Sequence, residues 1–225
     1  MALDALTNKA MFNRIAPTYD RLNHILSLGA DKGWRRKSVQ KLLPFSPRRV
    51  LDACCGTGDF SILLHDTLHT EVVGCDISEE MMHIARKKTS DIVFETQDCM
   101  HLTYADDSFD AVTCAYGVRN FESLQRGLRE FYRILVDGGH LLILELSVPR
   151  RPPMTWCFWL YARVFMRFVG WVVSHDRTAY EYLPQSMEQF PQAEEVREQL
   201  LSIGFRKVEF QRYLFGLSTC FLAYK

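Results

Sequence analysis

The chain has 225 residues, of which 48% are hydrophobic, and its 27 basic side chains are balanced by 27 acidic ones. These proportions are typical of a folded globular protein and exclude an intrinsically disordered or collagen-like chain. A protein that binds nucleic acid usually carries a basic surplus, because it must displace counterions from phosphates. We therefore expect no nucleic-acid partner, and we expect residues 1–225 to form one domain.

The cysteine pattern indicates a reducing compartment rather than a disulfide framework or a metal site. The seven cysteines include no CxxC pair and no cysteine–histidine spacing typical of zinc ligands, so we expect no metal. Most of them lie in apolar runs, as small buried thiols do. The first 17 residues lack the basic and apolar regions of a signal peptide, which favours a cytoplasmic location.

Strands and helices alternate along the middle of the chain. Residues 1–45 are predicted to form a helical cap that precedes this alternation. The spacing then predicts strands over Arg49–Cys54, Glu71–Asp76, Ile92–Glu95, Asp110–Ala115 and His140–Leu146, separated by helices over Asp59–Leu68, Glu79–Lys88 and Ser123–Leu135. Such alternation is typical of βαβ units and therefore of a parallel sheet.

The C-terminal segment ends differently. A helix over Ala193–Ile203 stops at Gly204, and strands over Phe205–Arg212 and Ser218–Tyr224 follow with a short connection. Because so short a connection joins antiparallel strands, the predicted fold is an α/β, Rossmann-like sheet of seven strands with a terminal antiparallel pair. An ordinary dinucleotide-binding fold would end with another βαβ unit instead.

Acidic residues follow three successive strands at the predicted carboxyl edge of the sheet. Asp52 precedes a glycine turn at Gly56 and Gly58, which allows a ligand to approach backbone N–H groups. Asp76 is placed to bind both hydroxyls of a ribose, and Asp98 to accept from an adenine amine. Three acids suit an adenosine that carries a cation and would repel a pyrophosphate.

A dinucleotide site is disfavoured for a second reason. The GxGxxG pattern of such sites requires glycine at position 61, where Ser61 stands. The three acidic residues also have a structural interpretation, since Asp76 and Asp98 would equally serve as helix caps.

Residues 149–190 interrupt the pattern with an aromatic helical insertion. Residues 154–173 include 16 hydrophobic residues of 20, but Arg163 and Arg167 would each cost ~2.5–3.5 kcal/mol near the centre of a spanning helix. We therefore predict no membrane span. The segment either packs in the core, covers an apolar ligand, or rests on a membrane surface with its arginines directed to lipid phosphates.

Five motifs in order carry a resemblance that covers nearly the whole chain. They are MFNRIAPTYDRLNHILSLGADKGW at 11–34, LDACCGTGD at 51–59, YGVRNFE at 116–122, RILVDGGHLLILELS at 133–147 and AYEYLPQS at 179–186. The chain resembles class I S-adenosylmethionine-dependent methyltransferases, and within them the UbiE/MenG family of quinone C-methyltransferases. It departs from that family at Leu22, Asp31, Cys54 and residues 136–137, where methionine, histidine, alanine and Lys-Pro are usual.

The resemblance implies one methyltransferase domain over residues 1–225, with S-adenosylmethionine as cofactor and no metal. It implies that Thr57 in the glycine loop, Asp76, Asp98 and Cys99 contact the cofactor, and Gly56 joins them from the turn itself. Cys99 would act through its backbone.

The implied reaction methylates a ring carbon of demethylmenaquinol, a lipophilic polyprenyl quinol. Alternatives are a benzoquinol of the ubiquinone pathway, both quinols, or a non-catalytic, cofactor-bound scaffold; an NAD-dependent oxidoreductase conflicts with Ser61. Removing a hydroxyl proton, with a pKa of ~10, would load electron density onto the ring carbon. Such a substrate also suggests peripheral contact with the inner face of the membrane; the oligomeric state stays open.

The catalytic candidates are Arg119 and Asn120, after the fourth strand, and Tyr180, after the aromatic segment. Arg119 would stabilise a phenolate and Asn120 would hold a hydroxyl or a water molecule. The competing interpretations are an arginine–carboxylate pair, a turn asparagine and a packed loop. His24 and His175 are interpreted as structural.

Overall fold

A computed structural model describes residues 5–166 and 177–225, with side chains for residues 6–166 and 182–225. It contains a seven-stranded sheet in the order β3-β2-β1-β4-β5-β7-β6. The strands are β1 Arg49–Ala53, β2 Glu71–Asp76, β3 Val93–Thr96, β4 Phe109–Ala115, β5 Leu135–Leu146, β6 Lys207–Tyr213 and β7 Ser218–Tyr224. The first five strands pair in parallel, and β7 lies antiparallel between β5 and β6. The predicted sheet and its terminal antiparallel pair are thus confirmed.

The fifth strand starts earlier than predicted. Leu135 already pairs with Phe109, and the register shifts before Ala111 pairs with His140. Residues 137–139 therefore form an irregularity within β5 and do not separate it from the preceding helix. Gly138 adopts φ +78° there, which costs glycine little.

Helices cover both faces of the sheet. They are α1 Ala5–Ile15, α2 Tyr19–Leu26, α3 Ala30–Val39, α4 Asp59–Leu68, α5 Glu79–Lys88, α6 Leu124–Ile134, α7 Met154–Tyr161, α8 Arg177–Gln189 and α9 Ala193–Ile203. On one face Leu64 and Met82 are fully buried, and on the other Leu128, Phe131 and Val196 are fully buried. Each such side chain contributes ~1.5–3 kcal/mol on burial, so both layers stabilise the sheet.

The N-terminal helices and the aromatic insertion meet beside the sheet. The Tyr161 hydroxyl at the end of α7 donates to the backbone carbonyl of Leu26 at the end of α2. A π-helical turn, Ala162–Met166, continues α7. Segments distant in sequence are thereby joined at the side of the sheet where the candidate site lies.

The aromatic segment has one buried and one exposed face. Phe158, Ala162 and Met166 are buried, whereas Trp156, Leu160 and Val164 are 70%, 66% and 63% exposed. Both sets follow the i, i+4 spacing of one helix face. None of the described helices is both long and apolar enough to cross a membrane. Arg167 and His175 lie outside the described residues.

Candidate functional site

The glycine turn between β1 and α4 is held against the end of β2. The Gly56 N–H, at φ +55°, donates to Asp76 Oδ2 over 3.0 Å. Gly58 caps α4 at φ +83°, and a Cβ there would come within 2.9 Å of the Phe94 ring. The turn therefore requires glycine at position 58 for both conformation and space.

The Asp76 carboxylate lies at the wall of a cleft. Its Oδ1 accepts from the Ser78 N–H over 2.9 Å, so the two backbone donors of Gly56 and Ser78 fix its orientation. Burial raises the pKa of Asp76 to about 6, although these hydrogen bonds act in the opposite direction. The group is therefore mainly ionised at neutral pH and has lone pairs left for a ligand.

The end of β3 places Asp98 and Cys99 beside the same cleft. Asp98 accepts from the Met100 N–H over 2.9 Å and lies 3.2 Å from His101 Nδ1. The Cys99 thiol instead points into a sulfur cluster, 3.5 Å from the Cys54 thiol and 3.9 Å from the Cys75 thiol. Hydrogen bonds from those two thiols lower the pKa of Cys99.

We refer to the cleft at these strand ends as the first cavity. It contains about 660 Å³ of space free of protein atoms, part of which is open to solvent. Its lining combines apolar and carboxylate side chains with the glycine turn: Phe12, Met81, Phe121, Gly56, Asp76 and Asp98. The aromatic rings suit an adenine, and the carboxylates suit a ribose and a cation. This lining therefore fits S-adenosylmethionine, whereas its carboxylates would repel a pyrophosphate.

A smaller cavity of about 310 Å³ lies beside the glycine turn. We call it the third cavity, since the second cavity is larger. The Thr57 hydroxyl at its wall donates to Asp20 and accepts from Lys88, which also contacts Asp59 at 2.5 Å. Tyr19 lines this cavity as well as the first. Tyr19 and Asp20, at the start of α2, are thus placed against the predicted cofactor loop.

Asp52 also borders the third cavity, but its carboxylate is already engaged. Oδ2 accepts from the Ser61 hydroxyl over 2.6 Å and Oδ1 from the Thr113 hydroxyl over 2.8 Å. Burial raises the pKa of Asp52 to about 7. Ser61, which replaces the glycine of a dinucleotide site, therefore has a structural partner that glycine would lack. The sequence pattern places Asp52 among three acids that suit a cationic ligand, whereas both of its oxygens accept from protein hydroxyls.

A second cavity of about 640 Å³ lies on the other side of Tyr19 and Tyr116, which line both it and the first cavity. Its lining is mostly apolar and comes from the N-terminal helices, the ends of β4, β5 and β7, and the insertion. Apolar contributors include Leu26, Trp34, Leu146, Met166, Leu183 and Met187. An apolar ligand in the second cavity would therefore lie next to a ligand in the first cavity, with Tyr19 and Tyr116 at the boundary.

Arg119 combines a structural ion pair with a place in the second cavity. Its Nη1 lies 2.7 Å from Glu145 Oε1, and its backbone N–H donates to Oε2 of the same residue. The side chain of Glu145 is fully buried and that of Arg119 is 7% exposed. The predicted alternative of an arginine–carboxylate pair is present, and Arg119 also lines the cavity.

Asn120 lies at the first cavity and connects it to the insertion. Its Oδ1 accepts from the Tyr182 hydroxyl over 3.1 Å. Tyr180 belongs to α8, but its side chain lies outside the described residues. The structure therefore brings Arg119 and Asn120 to adjoining cavities and leaves the position of the Tyr180 side chain open.

Sequence reasoning missed Arg35, because it lies among several basic residues on α3, a pattern typical of a solvated helix face. Its side chain is only 12% exposed and lines the second and third cavities. Within the described residues, the buried Nε atoms of Arg35 and Arg119 have no hydrogen-bond partner. One sequence signal could have indicated that Arg35 is buried. The neighbouring Trp34 is a large apolar residue and lies on the buried side of α3.

Comparisons with known proteins identify the family of this chain. The model of the ubiE/COQ5 methyltransferase family matches residues 2–225. A Bacteroides fragilis protein named demethylmenaquinone methyltransferase is 46% identical over 222 residues, covering 96% of this chain and 91% of the relative. A Porphyromonas gingivalis protein of the same name is 42% identical over 225 residues, covering 96% and 92%.

The solved structures share the fold. A Thermotoga maritima SAM-dependent methyltransferase superimposes with a TM-score of 0.70 at 20% identity, covering 96% of this chain and 99% of that one. The family match spans all three cavities and all five motifs. This chain belongs to the ubiE/COQ5 methyltransferase family.

Proposed function

We propose that this chain transfers a methyl group from S-adenosylmethionine to a ring carbon of demethylmenaquinol. The supporting observation is the pair of cavities that meet at Tyr19 and Tyr116, one lined by carboxylates and one mainly apolar. The name demethylmenaquinone methyltransferase, shared by relatives 46% and 42% identical over most of their length, supports this acceptor. The alternative acceptor, a benzoquinol of the ubiquinone pathway, has no specific observation in its favour.

In this proposal the first and third cavities hold the cofactor, which supplies an electrophilic methyl group on a sulfonium. Asp76 accepts from the ribose hydroxyls and Asp98 from the adenine amine. Gly56 and Thr57 form the turn beside the cofactor, and Cys99 contributes its backbone, since its thiol is directed to Cys54 and Cys75. Asn120, which lines the first cavity, would hold the acceptor ring near the boundary between the cavities. Tyr180 stays a predicted contributor to the same role.

The second cavity would then hold the quinol ring. Loss of a hydroxyl proton places a negative charge on the ring oxygen and raises electron density at the neighbouring carbon. Arg35 and Arg119 line this cavity, and each has an unpartnered Nε. Guanidinium groups in a poorly solvated cavity stabilise such an oxyanion much more strongly than they would in water.

The polyprenyl tail and the exposed face of the insertion suggest a membrane contact. Tyr161 and Met166, from α7 and the turn after it, line the second cavity. On the same segment Trp156, Leu160 and Val164 are exposed, and Arg163 is exposed beside them. We propose that this exposed face rests in the lipid interface, so that the tail remains in lipid while the ring enters the cavity.

The acceptor is tested by offering the protein a detergent mixture of reduced demethylmenaquinone and the matching benzoquinol of the ubiquinone pathway. Mass spectrometry then identifies the ring that gains a methyl group from S-adenosylmethionine. We expect a gain on the naphthoquinol, and no gain on the oxidised naphthoquinone, whose ring lacks the required electron density. Cofactor binding without a gain on any quinol would contradict the proposal.

A further inference from the structure

The turn between α2 and α3 places a carboxylate in the wall of the second cavity. Asp31 lies in the first turn of α3 and its side chain is 5% exposed. Its Oδ1 accepts from the Ser27 hydroxyl over 2.6 Å, and its Oδ2 lies 3.0 Å from His24 Nδ1. Both oxygens are thus held by neighbours on α2 and the turn after it, which fixes the orientation of the carboxylate.

We propose that Asp31 accepts the hydroxyl proton of the quinol, with His24 and Ser27 as positioning residues. The inference rests on the function proposed above and names a residue for its proton-transfer step. Among the described residues that line the second cavity, Asp31 is the one carboxylate. A carboxylate oxygen has several lone-pair directions, so the bonds to Ser27 and His24 leave room for a quinol hydroxyl.

Among the described residues, the other polar side chains that line the second cavity are either cationic or uncharged. Burial raises the pKa values of the Tyr19 and Tyr116 hydroxyls, so both remain protonated at neutral pH. Arg35 and Arg119 are cations with no acceptor atoms. Asn23 and Ser27 are uncharged and weakly basic. In the described part of the lining, Asp31 is therefore the group suited to take a proton, and the guanidiniums of Arg35 and Arg119 are suited to stabilise the resulting oxyanion.

Charged groups from α3, α4 and α5 lie around the Asp31–His24 pair. His24 is 30% exposed, and its Nε2 lies 3.9 Å from Asp59 Oδ2, which in turn is 3.9 Å from Arg35 Nη1. Lys88 pairs with Asp59 from α5. The charged and titratable groups packed around the Asp31–His24 pair are therefore Asp59, Lys88 and Arg35, with Tyr19 and Tyr116 at the cavity wall.

The proton balance requires no further reactant. The quinol O–H bond breaks, its proton moves to an Asp31 oxygen, and its electron pair stays on the ring. The neighbouring ring carbon forms a bond to the methyl carbon as the methyl–sulfur bond breaks, with that electron pair left on sulfur. The ring carbon then loses its own hydrogen to solvent as a proton, and the ring oxygen regains the proton from Asp31. Each turnover releases one proton.

Asp31→Asn tests this role, because it keeps the shape of the side chain and removes its basicity. Since a positioned general base contributes ~10²–10⁴-fold, we expect kcat to fall by about 100-fold or more. The matched control is Asp66→Asn, in a surface aspartate–histidine pair on α4 with a 3.3 Å contact to His65. The control should keep wild-type kcat, and both variants should keep wild-type cofactor affinity by calorimetry and a wild-type melting temperature.

A series of acceptors separates a basic role from a structural one. Naphthoquinols with electron-withdrawing substituents lose their hydroxyl proton more readily and depend less on a base. The ratio of wild-type to Asp31→Asn kcat should therefore fall at least about 10-fold from the least to the most acidic acceptor. The double variant His24→Asp/Asp31→His keeps an acid–imidazole pair and should recover part of the lost kcat.

Three results would overturn the inference. One is an Asp31→Asn variant with wild-type kcat on the naphthoquinol. Another is a kcat ratio that stays constant across the acidity series, which indicates a structural defect. The third is a wild-type protein that methylates no quinol. This result would remove the proposed function itself, and it differs from the first two results because the defect is already present in the wild type.

Discussion

The first and second cavities are similar in size but are built in different ways. Half of the residues that line the first cavity lie at or just after the ends of β1, β2 and β3, where backbone N–H groups hold Asp76 and Asp98. The others come from α1, α2, α5 and the turn after β4. The second takes its walls from α2, α3, the insertion and the ends of other strands. Under the proposed function, the cofactor site would therefore use more strand-end turns than the acceptor site, whose walls come mainly from helices.

The largest expected effect concerns Arg119, which lines the second cavity and forms a buried ion pair with Glu145. Arg119→Ala would leave the fully buried Glu145 without its cation, which costs ~3–5 kcal/mol of unfolding free energy. Urea unfolding should show this loss. Arg119→Lys keeps the charge and should fold, so its turnover reports the catalytic role.

We expect Arg119→Lys to lower turnover by about 10-fold while cofactor affinity stays within about 2-fold, because lysine cannot reproduce the planar donor geometry. Arg129→Lys, an exposed arginine on α6, is the matched control and should leave turnover unchanged. Wild-type turnover in Arg119→Lys would assign Arg119 to the ion pair alone.

Asp76→Ala should weaken S-adenosylmethionine binding by about 100-fold, since two charge-assisted hydrogen bonds at ~1.5 kcal/mol each are lost. Isothermal titration calorimetry measures the affinity. The exposed Asp91 provides the control variant Asp91→Ala, whose affinity should equal that of the wild type. Unchanged affinity in Asp76→Ala would remove Asp76 from the cofactor site.

These expectations show how much the sequence predicts. Gly56, Asp76 and Asp98 follow strand ends, and because parallel strands align their carboxyl ends, their proximity follows from the strand pattern alone. Asp31 and Arg35 are different, since they belong to a helix rich in basic residues whose buried side depends on contacts with α2, α4 and β5. The buried pair of Arg119 and Glu145 also needs the register of two strands.

The exposed face of the insertion is tested with vesicles that contain phosphatidylglycerol. The triple variant Trp156→Ser/Leu160→Ser/Val164→Ser removes three side chains that each contribute ~1 kcal/mol in a lipid interface, so vesicle affinity should fall by about 100-fold. Leu43 and Val93 are 46% and 59% exposed elsewhere, and Leu43→Ser/Val93→Thr is the control. Equal loss in both variants would argue against a specific lipid-facing surface.

The smallest expected effect is a pH dependence of cofactor binding. Burial raises the pKa of Asp76 to about 6, so the carboxylate is protonated as the pH falls through that value. Affinity should therefore drop by up to about 10-fold between pH 7.5 and pH 5. Calorimetry at both values would show a smaller change in Asp76→Asn. The same drop in that variant would assign the titration to another group.

The most direct test of the two-cavity account is a calorimetric comparison of Leu183→Trp with Asp76→Ala. Leu183 lines the second cavity, so a tryptophan there would occupy the space proposed for the quinol ring. The account predicts that Leu183→Trp loses affinity for a reduced naphthoquinol by at least about 10-fold and keeps S-adenosylmethionine affinity, and that Asp76→Ala shows the reverse. Loss of both affinities together, or of neither, in Leu183→Trp would contradict it.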